Sequence, residues 1–398
     1  MFFKLFLRYR IITIGTLFVV SGAVVALYIM KKPPELIIAA PISIHTELGK
    51  TLEFAMRLAL TEYGEQHNDF KITFVPIDVT SFEDAGNYDD LERFDSFVRV
   101  VTDPRTVAVL GPVTTAATMR MLPILSTAGI LQINYAATYP GFVVPDFGGP
   151  TEYRSFFPTE DRTYFSLIPH MQQIADVMSE RLAAEKYTDI YIVSDGSAYG
   201  TTGADSVKAS VSQHGGTIVG NEVLSLSTID TLIASIKEAH PSCVAAISYP
   251  SEVFRNFIDA LVATGASDCL SGTHLENTYQ ALYGADLPRI RALSFNPSPT
   301  ISVKTNEHTR KISEHYEREY GETLNLTAAA YRAYDAMRFA LAAIDVSDGT
   351  RKDVLHAAKN MKTFKTIAGN VRFDTYGAAY PVVVEVVDIR DGKIFRRD

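Results

Sequence analysis

Apolar, β-branched runs of four to eight residues alternate with helical patterns from residue 36 almost to the end of the chain. This alternation predicts strands buried on both faces of a parallel sheet, with helices covering them. The first set is expected as strand 36–40, helix 47–66, strand 71–77, helix 89–102, strand 107–110, helix 114–127 and strand 131–133. In helix 47–66, Leu52, Met56, Leu60 and Tyr63 recur at spacings of four, four and three, which places them on one face. A stretch rich in Gly, Pro and aromatics, Tyr139 to Pro150, separates a second set. That set is expected as helix 162–186, strand 189–193, helix 199–214, strand 217–224, helix 228–239, strand 243–248, helix 252–264 and strand 269–272. Pro169 is expected to kink or shorten its first helix, and Ser227-Thr-Ile-Asp230 has the pattern of a capping box. The return segment is expected as strand 290–295, helices 304–319, 326–345 and 351–361, and strands near 371–373 and 381–389. Two α/β halves followed by a return predict two lobes, 35–157 with 297–372 and 158–296 with 373–398.

Residues 11–30 are uncharged and bracketed by Lys4, Arg8 and Arg10 before and Lys31 and Lys32 after. A helix of 20 residues rises about 30 Å, the thickness of the hydrocarbon core. A cleaved signal peptide is the competing reading, with Ala23 and Ala26 as small cleavage-site residues. The apolar run continues past both, so an uncleaved anchor over 1–34 is preferred, its basic end cytoplasmic and the head periplasmic or cell-surface. Either reading exports the head. A lipidated export signal needs a Cys at the cleavage point, and the first of the two Cys is Cys243. Cys243 and Cys269 both start expected strands one βα unit apart, so a disulfide and two buried thiols both remain open.

The net charge of −9 understates the head, because residues 33–398 carry 32 positive against 46 negative side chains. An acidic head lacks the basic surface that nucleic-acid binding requires. Phosphate-loop geometry fails, since Gly49-Lys50-Thr51 is preceded by Ile44 where the first Gly should stand. Gly196-Ser-Ala-Tyr-Gly200 has its Ser one place too early for a nucleophile elbow. The nine His form no His-Glu-x-x-His, and the two Cys lack metal-site spacing. With no cofactor fingerprint and no catalytic constellation, the pattern points to binding.

Five segments carry a resemblance. Ile37-Ile38-Ala39-Ala40-Pro41 resembles an opening strand and loop, and Val107-Ala-Val-Leu-Gly111-Pro112-Val-Thr-Thr115 a "VVGP…S/T" ligand loop. Asn134-Tyr-Ala136-Ala137-Thr138 is similar to "S-P-x-A-T", and Asp195-Gly-Ser-Ala-Tyr199-Gly200 to "D-x-x-Y-G". Gly369-Asn-Val-Arg-Phe373-Asp374-x-x-Gly377 resembles a final "G-x-v-x-F-D-x-x-G" crossing. In this order, across about 360 of 398 residues, they resemble the type I periplasmic binding proteins of the leucine/isoleucine/valine branch. The resemblance implies a two-lobed α/β fold of two Rossmann-like parallel sheets with three hinge crossings, near 157–161, 295–299 and 371–375, here after one transmembrane helix.

It also implies where a ligand sits. Thr114 and Thr115 follow a buried strand and open a helix, where free amides and the positive helix end suit a carboxylate; a plain N-cap is the bland alternative. Ala136 lets a ligand reach the backbone and Thr138 adds a hydroxyl, against the alternative of an ordinary turn. Tyr199 and Tyr249 follow strand ends in the second half and would cover the ligand, or else pack at the rim. Where the family places an acidic residue, this chain reads Ser271-Gly-Thr-His274-Leu-Glu276, so His274 stands near that place and Glu276 slightly beyond.

The expected function is a solute-binding head that closes on a small carboxylated metabolite, amino-acid-like, and hands it to an ABC permease. An assembly or sensory head acting on a separate membrane partner is the second expectation, and an exported hydrolase the third.

Overall fold

The computed structural model describes residues 33–64, 66–67, 70–79, 91–284, 287–297, 307–321 and 328–396. The apolar stretch 11–30 lies outside them, and among the described residues no helix is long and apolar enough to cross a membrane.

Strand β1 (Glu35–Ile42) is buried at every position after its first, as the run ELIIAAPI demands of a central strand covered on both faces. Helix α1 (Glu47–Tyr63) follows, its start held by the Thr46 hydroxyl, which accepts from the Gly49 amide at 3.0 Å. Then come β2 (Gln66–His67), β3 (Phe70–Asp78), α2 (Leu91–Thr102), β4 (Thr106–Leu110), α3 (Thr115–Thr127), β5 (Leu131–Asn134), α4 (Gly149–Phe156) and β6 (Tyr164–Ser166). These strands form one sheet in the order β2-β3-β1-β4-β5-β6, parallel except for the β2–β3 pair.

The second lobe runs through α5 (Met171–Ala184), β7 (Asp189–Ser194), α6 (Ala198–Gln213), β8 (Thr217–Val223), α7 (Ile229–Ala239), β9 (Cys243–Ile247), α8 (Glu252–Thr264), β10 (Cys269–Thr273), α9 (Leu275–Tyr283) and β11 (Arg291–Asn296). The return comprises α10 (Glu307–Tyr320), α11 (Ala328–Asp345), α12 (Arg351–Asn360), β12 (Phe364–Thr366), β13 (Gly369–Phe373), β14 (Ala379–Tyr380), β15 (Glu385–Arg390) and β16 (Lys393–Arg396). The second sheet has the order β16-β15-β11-β10-β9-β7-β8, parallel from β11 to β8, with β15 antiparallel to β11 and β16 antiparallel to β15. α11 and α12 pack into the core of the first lobe. Arg351 ties α12 there by donating to the carbonyls of Val101, Asp103 and Thr106 at 2.6–2.8 Å.

Three local expectations are corrected. Helix 162–186 is instead β6 followed by α5. Tyr164-Phe-Ser suits an edge strand, Pro169 brings no amide, and His170 caps α5 by accepting from the Gln173 amide at 3.4 Å. Because β6 pairs with β5, the first sheet extends past residue 157 to Ser166. The chain therefore passes between the sheets at 167–170, at Pro297 and at 381–384, so the first and third crossings fall later than 157–161 and 371–375. The reciprocal cap before α7 joins Ser225 and Thr228 around a 3-10 turn, and Ser227 lies inside that turn, not at the helix start.

Cys243 and Cys269 are joined by a disulfide, with Cα atoms 4.6 Å apart and both residues fully buried. It staples the first residues of neighbouring β9 and β10, at the sheet edge away from the strands' C-terminal ends. The Cys243→Ala/Cys269→Ala variant is expected to lose about 3 kcal/mol in urea unfolding, the usual value for a closed loop of this size. Native stability in that variant would contradict a structural role for the bond.

Candidate ligand-binding site

Parallel strands bring their C-terminal ends to one edge, and open α/β sheets bind ligands there. β4 and β5 are neighbours, so the loops after Leu110 and Asn134 run side by side. Gly111 has φ 88, and a Cβ on it would come within 3.0 Å of the Tyr135 ring. Only glycine lets these loops lie so close. The Thr114 hydroxyl accepts from the Ala117 amide at 3.2 Å, so Thr114 is the N-cap of α3. Thr115 occupies the first helical position and is buried. The amides of Thr115 and Ala116 precede the first intrahelical bond and carry the positive end of the helix.

The neighbouring loop is organised by one side chain. Asn134 Oδ1 accepts from the amides of Ala136 (3.1 Å) and Ala137 (2.8 Å). Its Nδ2 donates to the Ala137 carbonyl (2.7 Å) and to Ser166 Oγ (2.9 Å). The short amide thereby substitutes for a backbone turn and anchors it to β6. Thr138 is buried at the end of this loop, and its carbonyl accepts from the Met171 amide at 2.7 Å, linking the loop to α5 of the other lobe.

In the second lobe Asp195 plays the corresponding part. Its Oδ1 accepts from the Ser197 amide (3.0 Å) and hydroxyl (2.6 Å), and its Oδ2 from the Tyr249 amide (2.9 Å). Ser197 in turn caps α6 by accepting from the Gly200 amide at 3.0 Å. One carboxylate thus sets both tyrosine-bearing loops. The rings of Tyr199 and Tyr249 stack with centroids 4.8 Å apart and planes inclined by 32°. Tyr199 is buried and its hydroxyl bonds Thr273 Oγ1; burial pushes its ionisation well above the usual range, so it stays a neutral donor. Tyr249 is 36% exposed and forms the outer half of the pair.

His274 follows β10 with a left-handed φ of 55. Burial, reinforced by the charge of Arg332, pushes its imidazole down to about 3, so it is neutral at physiological pH. Glu276 is buried two residues on. Its amide donates to Ser294 Oγ at 3.2 Å, and its Oε2 accepts from Asn296 Nδ2 at 3.4 Å.

The structure therefore brings together Thr114, Thr115, Ala136 and Thr138 on one lobe edge, and Tyr199, Tyr249, His274 and Glu276 on the other. Across the cleft, α3 and α6 touch. Sequence reasoning missed four organising residues: Asn134, Asp195, Thr273 and Arg332. Asn134 and Asp195 lay inside the motif segments as turn-forming residues. Arg332 was signalled only as a cation within the otherwise apolar start of α11. A cavity of about 280 Å³ lies at the crossings, lined among others by Leu167, Pro169, Pro297, Arg332, Asp335 and Val383. None of the eight expected residues lines it. Asp335 there accepts from the Ile367 amide at 2.8 Å and pairs with Arg338 at 3.1 Å, and burial pushes its carboxyl up to about 7.

Two parallel α/β sheets joined by three crossings, with their C-terminal edges facing one cleft, define a two-lobed binding protein. The chain belongs to the periplasmic binding protein family, whose model matches residues 48–390. Among solved structures it is similar to an ABC transporter substrate-binding protein from Desulfitobacterium hafniense in complex with Leu, at 19% identity and TM-score 0.67, covering 92% of this chain and 99% of that one. It is also similar to the leucine binding protein LivK from Thermotoga maritima, at 13% identity and TM-score 0.70, covering 92% and 98%. A third is the ABC transporter solute binding protein from R. palustris in complex with 4-hydroxybenzoate, at 15% identity and TM-score 0.71, covering 92% and 96%. No curated protein matches the sequence.

Proposed function

We propose that this protein is an extracytoplasmic solute receptor, anchored through residues 11–30, that captures a small carboxylated metabolite between its lobes and presents it to an ABC permease. The observation that carries this reading is the contact between α3 of one lobe and α6 of the other, α6 carrying Tyr199 of the tyrosine pair. In this reading Thr115 and the first amides of α3, behind the Thr114 cap, take the carboxylate. The Ala136 carbonyl and the Thr138 hydroxyl complete the first-lobe wall. Tyr199 and Tyr249 close over the ligand and exclude water, and His274 and Glu276 border the far side. The crossings at 167–170, Pro297 and 381–384 are the hinge, and closure is stabilised by contacts made only in the closed state. The protein binds and does not catalyse. Ligands of the relatives, leucine and 4-hydroxybenzoate, share the carboxylate that this site suits.

Calorimetry against a panel of amino acids and aromatic carboxylates tests the proposal. At least one member should bind saturably, and Thr115→Val should weaken it at least about tenfold, the loss of one good hydrogen bond to a charged group, at an unchanged unfolding midpoint. A folded protein that binds no member sinks the receptor reading. Unchanged affinity in the variant sinks the role of Thr115.

A further inference from the structure

We propose that the cavity where the three crossings meet is a second ligand site, which takes a small neutral molecule with an apolar body and one hydroxyl donor, and whose occupancy sets the angle between the lobes. The site stands apart from the cleft residues; its effect on carboxylate binding rests on the solute-receptor reading above. Every crossing contributes to its wall: Leu167 and Pro169 from the first, Pro297 from the second, and Pro381, Val382 and Val383 from the third. Tyr331 and Asp335 of α11 and Thr366 of β12 form the buried side, whereas Ala368, Pro381 and Val383 stand at an exposed mouth. The volume is about 280 Å³, where packed interiors leave few voids larger than a water molecule. A proline stands in each crossing, and its fixed φ stiffens the wall against collapse into the space.

The lining decides what the space can hold. A buried water needs about two to four polar partners, and the polar side chains here are already engaged. Thr366 Oγ1 donates to the Gly369 carbonyl at 2.7 Å, and Arg332 donates to the carbonyls of Tyr135 and Pro297. Asp335 accepts from the Ile367 amide at 2.8 Å and from Arg338 at 3.1 Å. Those two bonds leave about half of the acceptor positions of a carboxylate, enough for one hydroxyl donor but not for a water network. Apolar side chains make up most of the remaining wall, so an apolar body is favoured. An apolar cavity of about 150 Å³ holds benzene, so nearly twice that volume takes a phenol. Charges of both signs, Asp335 and Arg332, stand on the lining, so a free carboxylate or ammonium group loses against one what it gains from the other. When the lobes rotate, the crossings absorb the change in φ and ψ, so the wall they form shifts against α11 and the cavity changes shape. A molecule that fits one shape stabilises one lobe angle, and by linkage it changes the affinity of the cleft for its own ligand.

Phenol is the probe, with anisole as its match without a donor. Calorimetry on the full chain should find saturable phenol binding, at least about tenfold tighter than anisole, the effect of one hydrogen bond to a charged acceptor. Ala368→Trp, at an exposed turn position beside the mouth, should fill the space with its ring and abolish phenol binding at an unchanged unfolding midpoint. Val383→Trp, at the half-exposed third crossing, serves the same end should the first variant fail to fold. For the carboxylate that the cleft takes, saturating phenol should change the affinity at least about fivefold. Ala368→Trp should shift it in the same direction and remove the effect of phenol. Native protein that binds no phenol overturns the proposal, as does phenol binding that survives a Trp at the mouth, equal affinity for anisole, or a cleft affinity indifferent to phenol. A chain that binds phenol and no carboxylate keeps this site and sinks the receptor reading. In that case small-angle X-ray scattering reads the lobe angle, and a radius of gyration unchanged by phenol overturns the proposal. Carboxylate binding without phenol binding removes this inference and leaves the receptor reading intact.

Discussion

Asn134→Ala is expected to lower stability by about 4 kcal/mol, because it deletes four hydrogen bonds at a nearly fully buried position, each worth about 1 kcal/mol. The amides of Ala136 and Ala137 lose the oxygen that turns them, and the loop loses its tie to Ser166 on β6. Ligand affinity should fall with stability, since the Ala136 carbonyl and the Thr138 hydroxyl are placed by the same turn. Urea unfolding followed by circular dichroism reads the first effect, and calorimetry on the folded fraction reads the second. A variant as stable as the native protein would mean that the loop is held by something other than Asn134.

Tyr199→Ala is the second large effect. The ring is buried in the second-lobe core cluster that also holds Ile247, Ala204 and Val207, and it lies against the Tyr249 ring. Truncating such an aromatic removes about 4 kcal/mol through lost burial and the cavity left behind, and it opens the cleft to water. Tyr199→Phe keeps the packing and loses only the bond to Thr273, about 1 kcal/mol. Tyr249→Ala, at a half-exposed ring, should leave stability near the native value while still weakening the ligand. The three variants thus separate packing from ligand contact. Equal stability losses at Tyr199 and Tyr249 would contradict the inner and outer placement of the two rings.

The legible parts of the molecule were those with strong local signals. β1, β4 and β9 are wholly or almost wholly buried, and each was visible as a short apolar run between polar loops. The loops after β4, β5 and β7 were legible because Gly, Asn, Asp and Thr at strand ends mark turns and caps. The segment around Pro169 was misread for the opposite reason. Its helical periodicity was real from Met171 onward, but nothing local tells that Tyr164-Phe-Ser is captured by β5. With β6 unseen, the first crossing was set too early. His274 and Glu276 were placed at the right strand end, yet only the structure separates a neutral imidazole near Arg332 from a carboxylate turned toward Asn296.

By itself the sequence determined the alternation of strands and helices, the division into two halves with a return, and the turn-rich loops at the strand ends. These follow from periodicity and turn chemistry, which act over a few residues. Tertiary structure alone decided between a disulfide and free thiols at Cys243 and Cys269. It also stacked Tyr199 on Tyr249, and brought Arg332 to the Tyr135 carbonyl across 197 residues of chain. Such contacts depend on which strand ends the sheets place side by side, and the cleft's charge is a sum over those neighbours, which no local pattern encodes.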